Sequence, residues 1–154
     1  MRIEEVMTRD PACCTPETKV RDVARMMVEY DCGEIPLVQN AGDSRHVVGV
    51  ITDRDITVRC VARRHEPSCL VRAHMTPRPL RTVHPDDDVS EVVKKMEEAA
   101  VRRIPVVDEH GILVGIVAER DLAMKLPASE ALPLRKRIKA SSNRAIATVD
   151  AAID

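Results

Sequence analysis

Two Arg-Asp pairs, Arg54-Asp55 and Arg120-Asp121, each close an apolar run that pauses at one glycine: "VVGVITDRD" (47–55) and "LVGIVAERD" (113–121). An ionised carboxylate has two acceptor oxygens, which suits the paired hydroxyls of a ribose and repels a phosphate. Each run ends where a helix is expected to start. The unpaired N–H groups of a helix start attract anions, and Arg54 or Arg120 adds charge there. Ile35-Pro36 and Ile104-Pro105 are the candidate apolar walls for a flat base. A plainer reading is structural, because Thr52-x-x-Asp55 has the spacing of a capping box with Asp in place of Glu. In the second run Ala118 replaces the threonine and cannot cap, yet Asp121 stays. That persistence points to a second duty for the acid.

The elements that must hold these pairs occur twice. Val6-Met7-Thr8 is echoed by His74-Met75-Thr76, Pro16 by Pro85, Val20 by Val89, Met27 by Met96 and Ile35-Pro36 by Ile104-Pro105. The offset shortens only across the polar turn, where "QNAGDSRH" (39–46) answers "DEHG" (108–111); hairpin turns tolerate such length changes. Val20, Val23, Ala24 and Met27 fall on one helical face, as do Val89, Val92, Val93 and Met96. Thr15-Pro16-Glu17 offers a cap, a first-turn proline and an acid for the first helix, and Pro85 with Asp86-Asp87-Asp88 does so for the second. The acid triplet is read as dipole partners, not as a metal site. "EIPLV" with "HVVGVI" and "RIPVV" with "ILVGIV" read as hairpins. Short strands are expected before each first helix ("ACCT", "LRTV"), and second helices from about Asp53 and Glu119. The result is an α+β chain with a β-α-β-β-α repeat at 1–66, a second at 67–126 and a tail at 127–154.

Composition excludes several function classes. The chain has no Phe, no Trp and one Tyr, so it has no aromatic platform for single-stranded nucleic acid. With 24 basic and 25 acidic residues, no global field draws it to DNA or an anionic membrane. "LRKRIK" (134–139) is one short basic run, read as a solvated helix or linker and too little for a nucleic-acid interface. No leader-like stretch or run of roughly eighteen apolar residues occurs, and the expected location is cytoplasmic. Cys13, Cys14, Cys32, Cys60 and Cys69 lack the regular spacing of a disulfide framework or zinc site and are read as reduced thiols. The five histidines fall in turns and at element ends, with no nucleophile or catalytic motif around them. No catalytic residue and no metal site is expected.

Taken together, the Met-Thr, the Pro-initiated helix, the Ile-Pro strand start and the glycine-containing run ending in Arg-Asp, all present twice in register, resemble a tandem pair of CBS domains. The likeness covers roughly residues 1 to 125. It implies two repeats packed about a pseudo-two-fold axis, with clefts between them for AMP, ADP, ATP or S-adenosylmethionine, no required cofactor, and assembly as a homodimer. The implied role is regulation of a separate partner protein; the alternative is a homodimerisation module without a small-molecule ligand. By the same resemblance Asp55 and Asp121 hold ribose, and Thr52 contacts phosphate or ribose. Cys32-Gly33 and Val101-Arg102 hold bases, and Arg9-Asp10-Pro11 and Arg78-Pro79 form cleft rims. Two departures predict unequal sites. Ala118 removes a hydroxyl, a loss of about 1 kcal/mol, and Arg102-Arg103 stands where the first repeat has Gly33-Glu34. If the clefts are shared, the Arg pair strengthens the Asp55 site.

Overall fold

The computed structural model describes residues 1–41, 44–77 and 80–150, with side chains to 140 except at 40 and 41. Pro79 and Arg78 lie outside the described residues. The chain divides into two compact units. One comprises Met1–Arg9, Arg81–Val106 and the chain from Val114 onward; the other comprises Asp10–Leu80 and Val107–Leu113.

In the Asp10–Leu80 unit, helix α1 (Val20–Glu29) buries Val20, Val23 and Met27, the face expected from their spacing. A hairpin of β2 (Glu34–Ala41) and β3 (Ser44–Thr52) follows, with a register shift between Leu37 and Val38. Helix α2 (Asp53–Asp55) starts where expected but continues as a π-helix over Ile56–Val61. A third, short strand of this sheet, β4 (Thr76–Pro77), pairs antiparallel with β3. The core packs Ile35, Leu37 and Ile51 against the α1 face, with Cys60 and Val71. Aliphatic residues and sulfur fill the volume that aromatics fill elsewhere.

The other unit repeats the plan. Helix α3 (Val89–Ala99) buries Val89, Val92, Val93 and Met96. Strands β5 (Arg103–Val107) and β6 (Leu113–Ala118) lead into α4 (Glu119–Lys125). Strand β1 (Thr8–Arg9) pairs antiparallel with β6, giving the order β1-β6-β5. The tail forms α5 (Ala128–Asp150), whose Ala131, Leu134 and Ile138 are buried. The basic run is therefore not a free solvated stripe. Arg135 lies 4.0 Å from Glu119 and Arg137 2.8 Å from Glu97.

The Met-Thr segments do not join their own repeats. Thr8 pairs with Ile116 of the second sequence repeat, and Thr76 pairs with Val50 of the first. This crossing explains both glycines. A Cβ on Gly49 would stand 2.8 Å from Met75 Sδ and 3.1 Å from the Thr76 carbonyl oxygen. One on Gly115 would stand 2.5 Å from Met7 Sδ and 3.1 Å from the Thr8 carbonyl oxygen. Glycine lets the crossing strand approach closely; any side chain there would displace the methionine sulfur and press on the strand's carbonyl.

Three local expectations need correction. The segments "ACCT" and "LRTV" supply only single parallel bridges, Cys14 to Leu37 and Val83 to Val106, not strands. Thr15-Pro16-Glu17 does not cap α1: Thr15 turns back on Thr18, and the helix starts later, after Lys19. Its first N–H groups, on Val20 and Arg21, instead donate to the carbonyls of Cys69 and Pro67, both at 2.9 Å. The acid triplet also precedes its helix. Asp88 is the N-cap, accepting from the Ser90 N–H at 2.9 Å, and Asp87 accepts from the His84 N–H at 3.1 Å.

Candidate functional site

The end of the first hairpin forms a reciprocal cap. Thr52 Oγ1 accepts from the Asp55 N–H and Asp55 Oδ2 accepts from the Thr52 N–H, both at 3.0 Å. The other N–H groups of this helix start are also taken, Asp53 by the Gly33 carbonyl at 3.0 Å and Arg54 by Asp53 Oδ1 at 2.8 Å. The expected pool of unpaired donors is thus absent here. Asp55 Oδ1 faces Arg59 at 3.6 Å. Arg59, one helical turn on, also donates to the carbonyls of His74 at 3.0 Å and Met75 at 3.2 Å. Sequence reasoning missed Arg59; its signal was the i,i+4 spacing from Asp55.

The second hairpin end keeps half of this device. Asp121 Oδ2 accepts from the Ala118 N–H at 3.1 Å, and Ala118 has no hydroxyl to return the bond. Asp121 therefore persists because it caps without help. The cap gives Asp121 a structural duty whatever else it does. The carbonyl of Arg102 accepts from the Glu119 N–H at 2.9 Å, as that of Gly33 does for Asp53. Each connection between helix and hairpin thus lies along its own strand end, which brings Gly33 beside the Thr52 turn and Arg102 beside Ala118, while Cys32 and Val101 pack against the two cores.

The proposed base walls fare differently. Ile35 and Ile104 are closed into the two cores at 0% and 1% exposure and offer no surface to a ligand. Pro36, Pro105 and the rim residue Pro11 are buried as well. Asp10, at a positive φ of 47°, is ion-paired with Arg45.

What the second hairpin end adds is charge. A cleft of about 430 Å³ opens there, lined by Arg102, Arg103 and Arg120 with Ala118 and Glu119. Helix α5 contributes Arg135 and Lys139 to the same wall. Glu119 offsets part of this charge, at 3.8 Å from Arg102 and 4.0 Å from Arg135. The lining of five cations and one carboxylate has the chemistry to hold a multiply charged anion, and the volume is within the usual range for a small-molecule pocket. Arg135 and Lys139 were read as part of a tail. Nothing in their spacing showed that α5 would turn them toward Arg102.

Two thiols and an imidazole were also missed as a group. Cys60, Cys69 and His74 lie together, and His74 is 2% exposed, not a solvated turn histidine. Burial first, then the bond with Cys69, pushes the Cys60 thiol up, while burial and then His65 hold His74 below the ordinary histidine range. Cys14 is pushed up to about 12 by burial and then by Cys13. A thiol held there stays protonated and is a poor nucleophile.

Among the described residues no helix is long and apolar enough to cross a membrane. The family model for the CBS domain matches residues 3–61 and 71–128. The uncharacterized protein MK0525 of Methanopyrus kandleri is 30% identical over 125 residues, covering 81% of this chain and 62% of that protein. Hypoxic response protein 1 of Mycobacterium tuberculosis is 32% identical over 123 residues, covering 80% and 83%. A crystal structure of Hypoxic Response Protein I with two coordinated zinc ions superposes with a TM-score of 0.72 at 30% identity, covering 82% of this chain and 100% of that one. The CBS domain protein PAE2072 from Pyrobaculum aerophilum, complexed with AMP, gives 0.73 at 28% identity, covering 88% and 99%. With both hairpin ends, both crossing strands and two matches to one family model, the chain belongs to the CBS domain family and carries two copies of the domain.

Proposed function

We propose that the chain is a regulatory module that binds an adenine nucleotide or related adenosyl ligand and acts on a separate partner protein, without catalysis of its own. The observation that carries this reading is the cationic cleft at Ala118. Its five cations suit the phosphate end of a nucleotide, with Glu119 and Asp121 the nearby acids for hydroxyls. The AMP held by PAE2072 supports the ligand class. On this reading the stronger phosphate site is at the second hairpin end, where the structure groups Arg102 with Arg120, and not at Asp55. The zinc of the Hypoxic Response Protein I structure is a different kind of ligand.

The test is thermal unfolding with AMP, ADP, ATP, S-adenosylmethionine and GTP, on the parent chain and on Arg120→Ala. Ligand at a hundred times its dissociation constant adds about 2.7 kcal/mol, several degrees for a chain of this size. The expected result is a shift with an adenine nucleotide, reduced in Arg120→Ala. No shift with any of them supports the second reading, a homodimerisation module without small-molecule ligand. One observation favours that reading: Asp55 and Asp121 both already serve as helix caps.

A further inference from the structure

Cys60, Cys69 and His74 converge from three separate stretches of chain. Cys60 lies in the π-helix, Cys69 in the loop whose carbonyls cap α1, and His74 just after a 3-10 turn at Val71–Ala73. Cys60 Sγ is 3.8 Å from Cys69 Sγ, and Cys69 Sγ is 3.1 Å from His74 Nε2. The three donor atoms all lie within 4.8 Å of one another.

The sulfur–sulfur separation, more than the 3.1 Å sulfur–nitrogen hydrogen bond, points to one chemistry. A disulfide holds its sulfurs about 2.05 Å apart, far closer than here. Two thiolates bound at ~2.3 Å to a tetrahedral zinc stand roughly 3.8 Å apart, which is the separation observed. The donors are sulfur and imidazole nitrogen without a carboxylate among them, which disfavours calcium and magnesium and suits zinc. Burial adds a second argument. Cys60 is 1% and His74 2% exposed; the His74 ring is also held by the Arg59 backbone, and its Nε2 meets the Cys69 thiol, a weak hydrogen-bond partner. Two thiolates neutralise a dication, so the filled site buries no net charge.

We propose that Cys60, Cys69 and His74 bind one zinc ion, with His65 as the fourth ligand. His65 is exposed, its ring centroid 5.1 Å from that of His74, and its N–H donates to the Cys60 carbonyl at 3.0 Å. Rotation of this solvent-facing side chain supplies the last donor. Each thiol gives its proton to solvent as the metal binds. The ion fastens the π-helix to the loop that caps α1, so its effect reaches beyond the four ligands.

The experiment uses the full chain, reduced, loaded with zinc and desalted, with metal content and free thiols measured together. One zinc per chain is expected, and cobalt in its place should show tetrahedral ligand-field bands with thiolate-to-metal charge transfer. Cys69→Ala and His74→Asn should lose the metal and Cys13→Ala should keep it. His65→Ala should weaken binding about tenfold or more against a chromophoric chelator. Reduced parent protein holding less than roughly a tenth of an equivalent, or Cys69→Ala retaining a full one, overturns the proposal. Should His74→Asn fail to fold, the cobalt spectrum of the parent chain decides, since thiolate charge transfer requires the cysteines.

Discussion

Asp55 and Asp121 show how one residue type can be kept for a reason that its neighbours conceal. Each reaches back to the N–H of the residue three before it, and only the first is answered by a hydroxyl. Ala118→Thr should therefore complete the second box and stabilise the fold by about 1 kcal/mol, read as a rise in denaturant midpoint at constant slope. A lowered midpoint would mean that the cleft cannot accept the added atoms. The repeated Thr/Ala-x-x-Asp pattern was legible in the sequence, and so was the capping geometry for the first copy. What spacing could not show was that Asp55 is held on its other side by Arg59, whose position depends on carbonyls at His74 and Met75. Nor could it show that Cys60, Cys69 and His74 meet. Each belongs to a different local structure, and only the fold of the link between repeats brings them together.

At the level of elements, periodicity located α1, α3 and the hairpins because one apolar face or strand must be buried whatever its surroundings. Helix starts were less legible. The caps of α1 come from carbonyls at Pro67 and Cys69, far along the chain, and no local residue announces them. Helix α5 was also underread, since its buried residues are spaced among cations. Leu134 is 1% exposed, and Leu134→Ala should cost about 2–5 kcal/mol, the usual range for emptying a buried leucine site. The same variant should weaken anion binding at Ala118, because α5 carries Arg135 and Lys139 into the cleft wall. Equal nucleotide affinity in the folded variant would show that the helix stabilises without serving the site.

Across the whole molecule, the two sequence repeats and the two compact units do not coincide. Met1–Arg9 belongs with the second hairpin, and Thr76–Pro77 with the first. Fragments 1–66 and 67–154 should each be poorly folded alone and recover helical circular dichroism on mixing; a fully cooperative unfolding transition in either fragment by itself would contradict this. The exchange of strands also bears on descent. A single-repeat ancestor with this strand assignment would have had its Met-Thr segment in the wrong place for its own hairpin, beside a glycine gap that it could not fill. A second copy of itself supplies what is lacking. Gly49 and Gly115 mark where each hairpin accepts the strand that the other repeat supplies.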